Sequence, residues 1–116
     1  MSGLAIESRR VADVAVVVLR GEARLEAVEP LRLEGRALLA DGVRYLLLDL
    51  GALSFADSAS VGTILDLARD AERKGGGIAL FGATKRLARM LDGLGLLGRL
   101  RLVADEADAR RTLGAS

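Results

Sequence analysis

The chain contains no cysteine, no histidine and no tryptophan. Without thiolates or imidazoles it can build neither the common zinc sites nor Cys- or His-dependent nucleophilic catalysis. No disulfide can form, which suits a reducing compartment. Aromatic residues make up only 3% of the chain, and no basic stripe with interleaved aromatics, the stacking pattern of nucleic-acid binders, is present. Charge of one sign is lacking too: 17 Lys and Arg against 16 Asp and Glu leave a net +1, so nothing predicts a nucleic-acid partner. No apolar run approaches the ~20 residues of a membrane helix, which argues against membrane insertion. The opening MSGLAIESRR carries an acid and no apolar h-region, so it does not read as a signal peptide. These absences predict a soluble, cytoplasmic protein. They leave no catalytic, cofactor-binding or metal-binding residues to nominate, and an enzyme is not expected.

What is present fits one ordinary domain over residues 1–116, with 51% hydrophobic and 28% charged residues. Leu4 to Glu7 is a weak first strand, and Arg9-Arg10 and Asp13 flank a turn. Val14 to Leu19 is the plainest strand, because β-branched residues crowd a helix and suit a pleated sheet. Gly21 is expected to break it. A helix follows from about Ala27 to Ala40, with Val28, Leu31, Leu38 and Leu39 as its apolar stripe and Pro30, the one proline, in its first turn. Asp41-Gly42 stops it.

Tyr45-Leu46-Leu47-Leu48 reads as a strand buried on both faces, with Asp49 at its end and Gly51 as a turn. Phe55 to Gly62 is then a polar loop, and Val61, Ile64, Leu65, Ala68 and Ala71 recur at helical spacing until Gly75-Gly76-Gly77. Ile78 to Phe81 is another buried strand. Thr84 is expected to cap a helix whose inner face holds Leu87, Met90, Leu91 and Leu94. Leu100 to Val103 and Asp105 to Leu113 complete the chain as strand and helix, the helix opened by acids and closed by Arg110 and Arg111. Strands alternating with helices after an opening hairpin imply an α/β fold, a mixed central sheet with about four helices packed on it.

The candidate chemistry lies where the central strand feeds its helix. The first N–H groups of a helix lack intrahelical partners and are offered to a side-chain cap or an anion. Asp57, Ser58 and Ser60 are all good caps, and one of them need do no more than that. A phosphate on a hydroxyl here would instead make a switch, adding about −1.5 to −2 charges that the helix dipole tolerates and a docked partner does not. Ser58 and Ser60 are the phosphorylation candidates, Ser58 the better of the two, and Gly62 is expected to permit close packing of the helix on the sheet. Two other patterns carry little. Gly93-Leu94-Gly95-Leu96-Leu97-Gly98 has the G-x-G-x-x-G spacing but follows a helix where the dinucleotide fingerprint follows a strand. Asp49 and Asp57 lack a further group for acid–base work.

Leu48-Asp49-Leu50, Phe55, Asp57, Ser58, Val61 and Gly62 match, in order and without a gap, the signature of the STAS domain, the fold of bacterial anti-sigma factor antagonists. The chain therefore resembles that family. The resemblance extends to Leu19-Arg20-Gly21-Glu22, like the family's Gly-Glu turn, to Gly76–Gly82, like its late strand, and to Leu87–Leu97, like its third helix. It implies docking on an anti-sigma factor that is also a serine kinase, through Asp57, Ser58, Ala59 and Ser60, with Gly21, Glu22 and Arg24 adjoining. Two departures stand out. Ala59 occupies the position of the serine that such kinases phosphorylate, and Arg24 the position of an acid. Similar single domains also serve as the small cytoplasmic subunit of lipid-moving ABC transporters, bound to the ATPase and not switched there. A non-phosphorylatable scaffold in a signalling complex is the third reading.

Overall fold

The computed structural model describes residues 3–95 and 100–115. Along the chain run β1 (Leu4–Val11), β2 (Val14–Ala23), a 3-10 turn (Leu25–Ala27), α1 (Val28–Ala40), β3 (Tyr45–Ala56), α2 (Ser58–Arg73), β4 (Gly77–Phe81), α3 (Lys85–Gly93), β5 (Arg101–Val103) and α4 (Glu106–Leu113). The strands form one sheet in the order β1-β2-β3-β4-β5, with β1 antiparallel to β2 and the other neighbours parallel. This is the expected mixed sheet carrying four helices.

Side chains alternate across a strand, and the sheet has a core on each face. Ala15, Val17 and Leu19 of β2 join Leu46, Leu48 and Leu50 of β3 and Ile78 and Leu80 of β4; they pack under Leu31 and Leu39 of α1, Ile64 and Leu67 of α2, and Leu87 and Leu91 of α3. The intervening residues Val14, Val16, Leu47, Ala79 and Phe81 pack under Ala109 and Leu113 of α4. Strands covered on both faces must be apolar at every position, which is why Tyr45–Leu48 of β3 and Ile78–Phe81 of β4 read as unbroken runs.

The elements differ from the sequence expectation mainly at their ends. β1 continues through Ser8-Arg9-Arg10 to Val11, because an edge strand needs backbone pairing with β2 and little burial. The turn is Ala12-Asp13, with Ala12 at φ +55. Gly21 does not end β2, which runs on to Ala23 with register shifts between Val18 and Arg20 and between Gly21 and Glu22. Asp49 and Gly51 do not end β3: the Asp49 carboxylate accepts the Gly51 N–H at 3.0 Å and the strand continues to Ala56. The extension of β2 and β3 carries both to the same end of the sheet, where α2 begins.

In α1, Leu31 and Leu39 are buried as expected, together with Gly35, whereas Val28 and Leu38 are half-buried. Thr84 caps α3 by accepting the Leu87 N–H at 3.1 Å. Leu94 is exposed and does not join Leu87 and Leu91 in the core. The segment Leu96 to Gly98, which closes the G-x-G-x-x-G pattern and the end of the expected third helix, lies outside the described residues. Among the described residues, no helix is long and apolar enough to cross a membrane.

Candidate functional site

The C-terminal ends of β2 and β3 and the first turn of α2 meet at one end of the sheet. Glu22 is paired with Phe55 and Ala23 with Ala56, which sets the end of β2 against the approach to α2. The turn is then locked by bonds within the chain. The Asp57 N–H donates to the Ala23 carbonyl at 3.0 Å. The Asp57 carboxylate caps α2 by accepting the Ser60 N–H at 2.9 Å. The Ser60 hydroxyl donates to the Arg24 carbonyl at 3.0 Å, and that of Thr63 to the Ala59 carbonyl at 3.0 Å. Of the three residues suited to capping, Asp57 does it.

The two candidate hydroxyls have opposite environments. Ser60 is 0% exposed, and its hydroxyl is committed to the Arg24 carbonyl. It is out of a kinase's reach in this fold and supports the site from beneath. Ser58, the first residue of α2, is exposed. Ala59 and Gly62 are half-buried on the same helix. The packing expected of Gly62 is not found: a Cβ there would meet no heavy atom within 4 Å, so its small size leaves open space outward and not contact with the sheet.

That open space belongs to a groove of about 410 Å³ between the 3-10 turn with α1 and the start of α2. Leu25 and Val28 form one wall and Ser58, Ala59, Gly62 and Leu65 the other, with Arg32 and Arg69 at the rim. Leu25 is 70% exposed, a large apolar side chain offered to solvent beside small residues. Sequence reasoning missed Leu25. Its signal was an isolated apolar residue between Arg24 and Glu26, off the helical stripe.

Gly21, Glu22 and Arg24 adjoin this surface on β2 and just after it. Gly21 has φ +100, and a Cβ there would sit 2.2 Å from the Gly3 carbonyl oxygen; that oxygen accepts the Glu22 N–H at 3.0 Å. Glycine is thus required where β1 crosses the bulge. The Ser54 hydroxyl donates to the Gly21 carbonyl at 3.0 Å, tying the bulge to β3. Arg24 lies over the Phe55 ring at 4.2 Å from the centroid and contacts the Glu22 carboxylate at 3.3 Å. The guanidinium donates to that carboxylate, and the bond holds it more firmly protonated than usual, opposed by desolvation. Arg24 is therefore a fixed, exposed cation held by an aromatic face and an acid.

A family model described as "Mlab, STAS domain" matches residues 6–104. The chain belongs to the STAS domain family. Its structure is similar to that of the anti-sigma factor antagonist SpoIIAA in its unphosphorylated form, at 26% identity and a TM-score of 0.80 over 93% of this chain and 96% of that one. It is also similar to an anti-sigma factor antagonist from Mycobacterium paratuberculosis, at 23% identity and a TM-score of 0.79 over 98% and 99% of the two chains. The same fold occurs within the murine anion transporter Solute Carrier 26 family member A9, at 19% identity and a TM-score of 0.74; the match covers 93% of this chain and 19% of that one. The same fold thus occurs in a free-standing anti-sigma factor antagonist and within a membrane transporter. In this STAS domain no described group of three or more metal-ligating side chains is placed to hold a metal ion.

Proposed function

We propose that this STAS domain is a regulatory binding module, an anti-sigma factor antagonist that sequesters a kinase-type anti-sigma factor and so frees a sigma factor for transcription. The observation that carries the reading is the rigidly bonded turn at Asp57 beside a groove with an exposed Leu25 and a small-residue floor at Ala59 and Gly62. A surface whose backbone is fixed in advance loses little entropy on docking. Asp57, Ser58 and Ala59 would touch the partner, Ser60 would hold them in place, and Gly21, Glu22 and Arg24 would extend the contact. Function here is competition between partners, so affinity matters and turnover does not.

Regulation at the usual position is closed, because Ala59 has no hydroxyl. Ser58 is the remaining exposed hydroxyl of the turn. A phosphate there would sit at the positive end of α2, where the fold tolerates it, and within the interface, where its desolvation is costly.

A second reading, a small cytoplasmic subunit bound to the ATPase of a lipid-transporting ABC complex, is favoured by Ala59. A partner of that kind needs a permanent interface and no switch. The discriminating experiment is affinity capture from native cells with mass spectrometry of the bound proteins and of Ser58. An ATP-binding serine kinase or anti-sigma factor supports the first reading. A transporter ATPase with its membrane subunit replaces it with the second. Phosphate found only on Ser60, or on neither serine in any growth state, removes the switch.

A further inference from the structure

One edge of the sheet is left open. Among the described residues nothing pairs with the outer side of β1, an edge strand of eight residues with no proline and no bulge. The Gly3 carbonyl accepts the Glu22 N–H, and antiparallel ladders alternate every second residue. Gly3, Ala5, Glu7, Arg9 and Val11 therefore direct their backbone groups inward to β2. Leu4, Ile6, Ser8 and Arg10 direct theirs outward, unpaired. Such an edge is a template for another strand.

We infer that the occupant is a second copy of this chain, paired β1 to β1 antiparallel about a two-fold axis through Ser8. The charges select both the partner and the register. With Ser8 opposite Ser8, Glu7 stands opposite Arg9 of the second copy, and the symmetry supplies that pair twice. Sliding one strand by two residues in either direction sets Glu7 against Glu7 or Arg9 against Arg9, which like-charge repulsion disfavours.

The exposed apolar residues agree. Four large hydrophobic side chains are exposed among the described residues, and one of them, Val11 at 72%, ends this edge strand. In the Ser8-centred register Val11 faces Ala5 of the second copy, which is also exposed and on the same sheet face. On the other face α1 runs beside β1, tied to it by Ser8 to Glu34 at 3.0 Å and by Arg10 to Asp41. Its flank toward α2 is occupied through Gly35 against Leu67 and Arg36 against Asp70. The present exposed contacts of Arg9 with Glu106 and of Glu7 with Arg20 are weak enough to be shared or exchanged.

The test is sedimentation of the full chain over a wide concentration range, with circular dichroism to check that each variant is folded. Wild type is expected to associate as a dimer. Glu7→Arg alone and Arg9→Glu alone each place like charges across the axis twice, and each should weaken association about tenfold or more. Mixing the two variants restores opposite charges at both pairs, so the mixture should dimerise where neither does alone. A wild type that stays monomeric at the highest concentration overturns the proposal. So does a dimer indifferent to both substitutions, or a mixture that fails to recover association.

Discussion

Gly62→Leu separates what the groove does for folding from what it does for docking. The glycine lies within α2, and a Cβ at that place meets nothing within 4 Å. A glycine inside a helix costs about 0.8–1 kcal/mol relative to alanine, and leucine is close to alanine. The variant should therefore unfold at higher urea, with a gain of up to about 0.8 kcal/mol, or a rise of roughly 3–5 °C in Tm for a domain of this size. The new side chain enters the groove between Leu25 and Ala59. If a partner's side chain is seated there, docking loses a central anchor worth about 2 kcal/mol, or roughly thirtyfold in Kd. Urea unfolding followed by circular dichroism gives the first quantity, and calorimetric titration with the captured partner gives the second. Destabilisation beyond 1 kcal/mol would falsify the open-space geometry. Undiminished binding would remove the groove from the interface while leaving the fold intact.

Two further outcomes follow from other contacts. Ser60→Ala removes one of the two donors to the Arg24 carbonyl, which keeps the Ala27 N–H at 2.8 Å, and should cost about 0.5–1 kcal/mol in urea unfolding, the worth of one hydrogen bond less a small gain in helix propensity. Arg9, hydrogen-bonded to Glu106, holds that carboxyl below its ordinary value of 4.5; partial burial opposes the shift and Arg110 adds to it. A depressed folded pKa gives stability that is complete above the unfolded value and is lost as pH falls through the folded one. Glu106→Gln should accordingly flatten the acid side of the stability profile below about pH 5, read as urea midpoints across a pH series, and an unchanged slope there would refute the ion pair's contribution.

The fold was legible because its strongest signals are periodic. Val14 to Leu19, Tyr45 to Leu48 and Ile78 to Phe81 are apolar at every position, which a sheet covered on both faces requires and few other settings permit. What escaped was the length of strands beyond their buried centres. Ser8, Arg9 and Arg10 look like a turn because they are polar, yet an edge strand holds them by backbone bonds that leave no mark in side-chain pattern. Gly21 and Gly51 look like breaks, yet one is a bulge under the Gly3 carbonyl and the other is bonded by Asp49. In the site, Asp57, Ser58, Ser60 and Arg24 were nameable from the sequence. Ser58 was preferred over Ser60, yet which serine faces solvent is fixed only by the phase that the start of α2 sets, since a helix of 3.6 residues per turn separates neighbours two apart by more than half a turn. Gly62 was misassigned for the same reason: its role depends on whether it faces the sheet or the groove.

The bonding of the turn bears on what Ala59 means. Asp57 Oδ1 accepts the Ser60 N–H, and the Ser60 and Thr63 hydroxyls donate to the Arg24 and Ala59 carbonyls, so these bonds hold the turn from within the chain. The shape of the surface therefore does not depend on a phosphate or on a hydroxyl at position 59. A domain built this way presents the same groove whether it is switched or permanent, and the difference between an antagonist and a transporter subunit reduces to which partner fills it. Under either reading, a charge at Ser58 lies at a favourable helix terminus and acts on docking without acting on the fold. Loss of the serine at 59 is thus compatible with full binding capacity, and what it removes is one way of ending the complex.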